Sequence, residues 1–192
     1  MFTEFVYPDD NEEDFLQIAE MLSFDSLVFI YKEKLSQKHI DKREELQKNT
    51  QIKIFLAAEN TNGKLADYRI ARSSDDGLTR KIIEQKKADI ILGMEFHNEK
   101  DYMRQMNSGL NHIVAKLARE NDVVFAFPFF DWLNLNENKK NLVLSRLMQN
   151  LRLCKKYQLK VMIRSFSNSK FGLRNKKDML SFETIITKTG SM

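Results

Sequence analysis

Hydrophobic spacing along this chain switches between short apolar runs and a 3.6-residue period seven times over, which restricts the fold more than any other feature. "TEFVY" (3–7) reads as a strand, after which Phe15, Ile18, Ala19 and Leu22 mark one face of a helix. "SLVFIY" (26–31) predicts a second strand, followed by a polar helix to about residue 49. "IKIFLAA" (52–58), "DYRIAR" (67–72) and "DIILGMEF" (89–96) predict the third, fourth and fifth strands. Between the last two, "DDGLTRKIIEQKKA" offers acidic caps and a short helix. Leu110, Ile113, Val114 and Leu117 follow an i, i+3, i+4, i+7 pattern, so a helix is expected over 109–120. "VVFAFPF" (123–129) is the sixth strand. Leu144, Leu147, Met148, Leu151 and Cys154 line a long helix over 138–157, "KVMIRSF" (160–166) is the seventh strand, and a short helix follows over 176–182.

Strands and helices in alternation build parallel βαβ units. The chain has no GxGxxG and no P-loop pattern, so nothing specific supports a nucleotide-binding doubly wound sheet. The predicted fold is α/β, a (β/α) TIM-like barrel, distorted or shortened at the C-terminus, with "FETIITKTGSM" as the candidate eighth strand. No Pro-, Gly- or Ser-rich linker and no internal repeat divides the 192 residues, which are read as one domain. The apolar runs, such as "FAFPFFDWL" (125–133), are too short to cross a bilayer, and residues 1–20 are acidic rather than signal-like. The lone Cys154 cannot form an internal disulfide, and a cytoplasmic home is expected, nuclear if the source is eukaryotic.

The net charge of +4 conceals a split. Residues 1–99 hold 14 basic and 20 acidic side chains, and residues 100–192 hold 17 and 7. Between Asn138 and Lys177 there are twelve Lys and Arg and no Asp or Glu. Solvated helix faces ordinarily mix signs to gain i,i+4 pairs, so this stretch points towards a polyanion. Its densest part is the connector "RSFSNSKFGLRNKKD" (164–178), which follows the seventh strand and so lies at the functional end of a barrel. There Arg164, Lys170, Arg174, Lys176 and Lys177 are expected to meet a nucleic-acid backbone, with Ser165, Ser167 and Ser169 as phosphate donors.

Glu95 and His97 are two apart on the fifth strand, but a metal needs three or more ligands, and neither His39 nor His112 belongs to an HxH pair. His112, Lys116 and Arg119 fall at i, i+4 and i+7 opposite an apolar stripe, either a solvated face or a cationic ridge. "NSG" (107–109) begins that helix, whose free amides suit an anion. Phe125, Phe127 and Phe129 alternate into the core, while Phe130 and Trp132 are expected to be buried or to meet a protein. Cys154 is read as packing, and no nucleophile elbow or Ser-His-Asp order is present.

"GLNHIVAKLARENDVVFAF" (109–127), "NKKNLVLSRLMQNLRLCKKYQLKVMIRSFS" (138–167) and "KFGLRNKKDMLSF" (170–182) together resemble the protein component 3 family of archaeal and eukaryotic ribonuclease P, and "LTRKIIEQKKADIILG" (78–93) resembles the segment that precedes them. The resemblance implies a distorted TIM barrel serving as a non-catalytic subunit of the ribonucleoprotein that removes 5′ leaders from precursor tRNA. It implies that Mg2+ sits at the RNA subunit and no cofactor in this chain, and that component 2 is the protein partner in a heterotetramer. By motif position it implies RNA contact for Arg80, Arg104, His112, Lys116, Arg174 and Lys177. The chain departs from the family at Asn111, where an acid is usual, and in "RNKKDML", which lacks a proline. The family resembles polymerase-and-histidinol-phosphatase metal hydrolases whose histidine ligands are missing here. The competing readings are a metal-dependent phosphoesterase built around His97 and a protein-binding barrel.

Overall fold

The computed structural model describes residues 2–60, 64–96, 101 and 106–190. Seven strands form one parallel sheet in sequence order: β1 (Thr3–Val6), β2 (Ser26–Tyr31), β3 (Lys53–Glu59), β4 (Tyr68–Arg72), β5 (Ile90–Leu92), β6 (Val124–Pro128) and β7 (Val161–Arg164). Around it lie α1 (Glu12–Met21), α2 (Gln37–Lys48), α3 (Asp76–Glu84), α4 (His112–Glu120), α5 (Phe129–Leu133), α6 (Glu137–Tyr157) and α7 (Lys176–Gly190). The barrel interior is filled by Phe5, Val28, Ile30, Ala57, Ile70, Ile90, Leu92, Ala126 and Phe166. Alternate residues of the same strands face outward, where Leu27, Phe29, Leu56 and Phe127 pack beneath the helices. β5 stops short of the expected Phe96 because Gly93 turns at φ +70°.

All seven strands fall where the hydrophobic runs place them, but no eighth strand exists among the described residues. "FETIITKTG" belongs to α7 instead. Met179, Phe182 and Ile186 repeat at helical spacing and pack into the core under α6, and this burial outweighs the β-branched character of Ile185, Ile186 and Thr187.

Closure is therefore made by β7 meeting β1 directly. The ladder there is one bridge, Val6 to Ser167, with the Tyr7 amide donating to the Ser167 carbonyl at 2.8 Å. Below it a side chain substitutes for the strand. The Glu4 carboxylate accepts from the Phe5 amide at 3.0 Å and the Ser165 amide at 2.7 Å. Arg164 donates to the Thr3 carbonyl and to Glu183 of α7, at 2.9 and 2.8 Å, and lies over the Phe2 ring. Phe166 adopts φ +49° and stacks on Phe5 within the barrel. Burial pushes the Glu4 carboxyl up to about 7, against the opposing pull of the two amides and Arg164.

Four helix ends share one turn. Ser23, Lys86, Asp122 and Gln158 each take positive φ, and the next amide donates back to the carbonyl five residues earlier: Phe24 to Ala19, Lys87 to Ile82, Val123 to Ala118 and Leu159 to Cys154. None of the four is glycine.

Replacing Gln158 by Gly should raise stability by about 0.5–1 kcal/mol in urea denaturation, because a left-handed residue with a Cβ is strained. A second expectation concerns pH. With its folded pKa above the unfolded value of 4.5, Glu4 binds its proton more tightly in the native state, so its contribution to stability falls as pH rises from about 4.5 to about 7. Glu4→Gln should therefore gain roughly 1–3 kcal/mol relative to wild type on going from pH 5 to pH 8.

Candidate nucleic-acid interface

The helix carrying His112, Lys116 and Arg119 is set in place by buried polar groups on α6. Arg146, 1% exposed, donates from Nε to Asp101 Oδ1 at 2.9 Å and from Nη1 to the Glu95 carbonyl at 3.2 Å, and its Nη2 forms an ion pair with the same Asp101 oxygen at 2.8 Å. Asn150 donates to Glu95 Oε1 at 2.8 Å and to the Ser108 carbonyl at 2.9 Å. The Asn107 amide in turn donates to Asp101 Oδ1 at 2.8 Å. Positions 95, 101, 107 and 108 are thus gathered onto one turn of α6, just before α4 begins. Burial pushes Glu95 up to about 7 and the neighbouring Cys154 thiol up to about 12, so Cys154 is a packed, unreactive group.

α4 starts at His112, three residues later than the expected Gly109, which turns at φ +78°. Asn111 caps it, accepting from the amides of Ile113 and Val114 at 3.0 Å each. Those amides are accordingly not available to an anion, which corrects the reading of "NSG" as an anion-binding helix start. Val114, Ala115 and Ala118 pack inward, and His112, Lys116 and Arg119 are exposed, with no ion pair among the described residues.

The connector after β7 turns out differently from expectation. Ser165 and Ser167 are fully buried, and Ser167 Oγ donates to the Ser169 carbonyl at 2.6 Å, so neither faces a phosphate. Arg164, 15% exposed, is the internal tie between β7, β1 and α7 rather than an outward cation. Lys170 pairs with Asp14 of α1 at 2.9 Å, and Lys176 pairs with Asp25 at 2.8 Å. Arg174 folds back onto the carbonyls of Phe171 and Leu173, half-buried, and Lys177 is exposed with no charge partner among the described residues. The connector is held tightly: a Cβ at Gly172 would lie 2.1 Å from Ser167 Oγ and 2.5 Å from the Phe130 ring. Arg80 is exposed and pairs with Glu84 along α3 at 2.7 Å. Arg104 and His97 lie outside the described residues.

At the mouth formed by the C-terminal strand ends, Arg72 is the central group. It donates to Asp131 at 2.7 Å, to Glu59 at 3.4 Å and to the Tyr7 hydroxyl at 3.4 Å. Burial raises the Tyr7 hydroxyl's pKa well above its usual value, keeping it a neutral partner. A guanidinium stands where the two carboxylates converge, so the described residues of the mouth do not fit a divalent cation. Among the described residues no group of three His, Cys, Asp or Glu side chains is arranged to hold a metal. Phe130 and Trp132, expected to follow the sixth strand, belong to α5, which begins directly after β6. Trp132 is half-buried against Phe127, Phe129 and Phe182, with its indole N–H donating to the Lys140 carbonyl at 3.1 Å.

Residues 60–189, which include α3, α4, α6, α7 and the connector, match the family model described as RNase P subunit p30. The chain belongs to this family. Ribonuclease P protein component 3 of Methanococcus maripaludis strain C5 is 26% identical over 165 residues, covering 79% of this chain and 68% of that protein. The component 3 protein of Methanosarcina acetivorans is 29% identical over 119 residues, 62% of this chain and 46% of the relative. The chain thus spans from about half to two-thirds of the length of these curated relatives. In three dimensions it is similar to a chain in the cryo-EM structure of archaeal ribonuclease P with mature tRNA, with TM-score 0.80 and 18% identity over 96% of this chain and 82% of that one. A prolidase complexed with N-methylphosphonate-L-proline gives TM-score 0.51 at 9% identity, over 99% and 71% of the two chains, a likeness of fold alone.

Replacing Arg146 by Met should lower stability by about 3–5 kcal/mol in urea denaturation, because Asp101 and the buried Glu95 carbonyl would lose their charged donor.

Proposed function

We propose that this chain is a non-catalytic protein subunit of a ribonuclease P ribonucleoprotein, supporting an RNA that removes 5′ leaders from precursor tRNA. One observation carries the reading: the segment matched to the p30 family contains the exposed cations Lys116, Arg119 and Lys177 and takes in every charged residue of the basic half of the chain. Such groups hold an RNA by neutralising phosphates and releasing counterions, which gives affinity without reading sequence. The contacts proposed are Arg80, His112, Lys116, Arg174 and Lys177. Lys170 and Lys176 join them where phosphate displaces the half-exposed Asp14 and Asp25. Arg104 is assigned to the same surface by its motif position.

The RNA subunit and its Mg2+ supply the chemistry in this reading, in keeping with a barrel mouth closed by Arg72, Glu59 and Asp131. The protein partner is the component 2 protein, two copies of each chain forming a heterotetramer in the cytoplasm. The test is reconstitution. Cognate RNA, component 2 and precursor tRNA should give 5′ cleavage at low Mg2+ only when this chain is added. Arg174→Ala should weaken that cleavage while leaving urea denaturation within about 1 kcal/mol of wild type, because only two surface hydrogen bonds are lost. Cleavage indifferent to the chain, or phosphoester hydrolysis by the chain alone with divalent metal, would overturn the reading.

A further inference from the structure

We infer that the groove between α4 and α6 is a track for one phosphate strand of duplex RNA, with Arg119 and Lys156 as its facing cations. The inference rests on the RNA-subunit reading and adds to it a surface, a second helix and a form of RNA.

The geometry follows from the shared helix-end turn. Asp122 after α4 and Gln158 after α6 are both left-handed, and the amides of Val123 and Leu159 both return to the carbonyl five residues back. Counting back from these two residues puts the helices in a common phase and at a common height, since they run in the same direction on neighbouring parallel strands. Leu117 then corresponds to Leu153, Ala115 to Leu151, Lys116 to Arg152 and Arg119 to Lys155. On α6, Leu153 and Tyr157 pack with the α4 cluster, whereas Leu144 and Leu151 pack in the cluster that holds Met179 and Ile186 of α7. One edge of each helix therefore meets its predecessor and the other its successor, as a series of right-handed βα units requires. By the same phase Ala115 and Arg119 lie on the α6 side of α4, and Glu120 lies on the α3 side. Lys156, beside Tyr157 and three residues beyond Leu153, lies on the α4 side of α6.

The two lips are consequently of one sign. His112, Lys116 and Arg119 rise along α4 over about 10 Å, all exposed. Opposite them stand Gln149, Arg152 and Lys156, of which Arg152 and Lys156 are exposed. Neighbouring helix axes lie about 8–10 Å apart, close enough for facing Lys and Arg side chains to reach one strand together. The acid nearest Arg119 at the groove's end is Asp122, which Lys160 holds at 2.8 Å. Neither Lys116, Arg119 nor Lys156 has an ion pair among the described residues. Lys116, Arg119 and Lys156, gathered on these lips without a paired acid among the described residues, repel one another, and a polyanion is the ligand that relieves the repulsion.

The choice of duplex rests on what the lips lack. Single strands are held by stacking bases on exposed aromatic rings, and among the described residues the one ring near this groove, Tyr157, is half-buried against the α4 cluster with Lys156 beside it at 5.7 Å. Gln149 and His112 supply polar groups for 2′-hydroxyls between the phosphate contacts, which is how A-form helices are recognised. A run of about 10 Å admits about three phosphates of one strand.

The experiment measures binding of the purified chain to a blunt RNA duplex of about 16 base pairs, across a series of KCl concentrations. Against it stand a single strand of the same length and poly-glutamate. Arg119→Ala combined with Lys156→Ala should reduce the slope of log affinity against log salt by about 2. Arg119→Lys combined with Lys156→Arg should restore it. Lys48→Ala combined with Lys53→Ala, an equal loss of charge on the α2 side, should leave the slope unchanged. If the chain binds duplex and the Arg119/Lys156 pair has no more effect than the Lys48/Lys53 pair, the groove assignment is wrong and the subunit reading survives. If wild type binds no RNA, or binds poly-glutamate or the single strand more tightly than duplex, the duplex track is overturned. In the first of these cases the proposed function falls with it.

Discussion

Everything else in this barrel is arranged around the seam between β7 and β1. A parallel sheet with an open edge presents unpaired amides and carbonyls, and seven strands leave a gap that a further strand would ordinarily fill. Here the gap is bridged by one backbone pairing at Ser167 and by two side chains, Glu4 and Arg164, which serve the amide of Ser165 and the carbonyl of Thr3. Both are ionisable groups taken largely out of water, a costly choice tolerated when each carries several hydrogen bonds. Because Arg164 also holds Glu183, the same contacts fix α7 across the seam, and α7 in turn supports α6. The placement of the α4–α6 surface thus depends on a join made on the other side of β7.

This arrangement explains why the densest run of positive charge is not the freest. A connector crossing from β7 to α7 must pass the acidic first half of the chain, and Asp14, Asp25 and Glu183 each take one of its cations. Those partners are 156, 151 and 19 residues away in sequence, so linear charge counting cannot see them. Among the described residues Lys116 and Arg119 of α4 and Lys156 near the end of α6 have no such partner. α4 packs on α3 and α6, and α6 on α4 and α7, away from α1 and the acids it carries, and these cations remain electropositive for that reason.

The sequence was most readable where burial enforces a period. Each of the seven strands is an apolar run pressed between interior and helices, and the stripes on α4 and α6 are continuous enough to fix their faces. It was least readable where a local signal is absent or ambiguous. The four left-handed helix ends carry Ser, Lys, Asp and Gln, so no glycine marks them, although the turn is the same in each. "FETIITKTG" has the β-branched content of a strand, and only Met179 upstream reveals the helical face that decides the matter. Arg146 and Asn150 look like solvated positions amid Leu147 and Leu151. Their burial follows from Glu95, Asp101 and Ser108, which reach them from 42 to 55 residues away.

A barrel of this kind ordinarily keeps its chemistry at the C-terminal strand ends, where loops converge over the mouth. In this chain that position is filled by a guanidinium locked to Asp131 and Glu59, with the Tyr7 hydroxyl held neutral beside it. The ion cluster ties β1, β3, β4 and α5 together and stiffens the mouth, which leaves the outer helical surface as the place where charge is free to act. Positive groups on rigid helices lose little further freedom on meeting a phosphate, whereas the same groups on a mobile loop would have to be ordered first. An ion cluster at the strand ends and a cationic flank are therefore two consequences of one fold, the first stiffening the frame on which the second is presented.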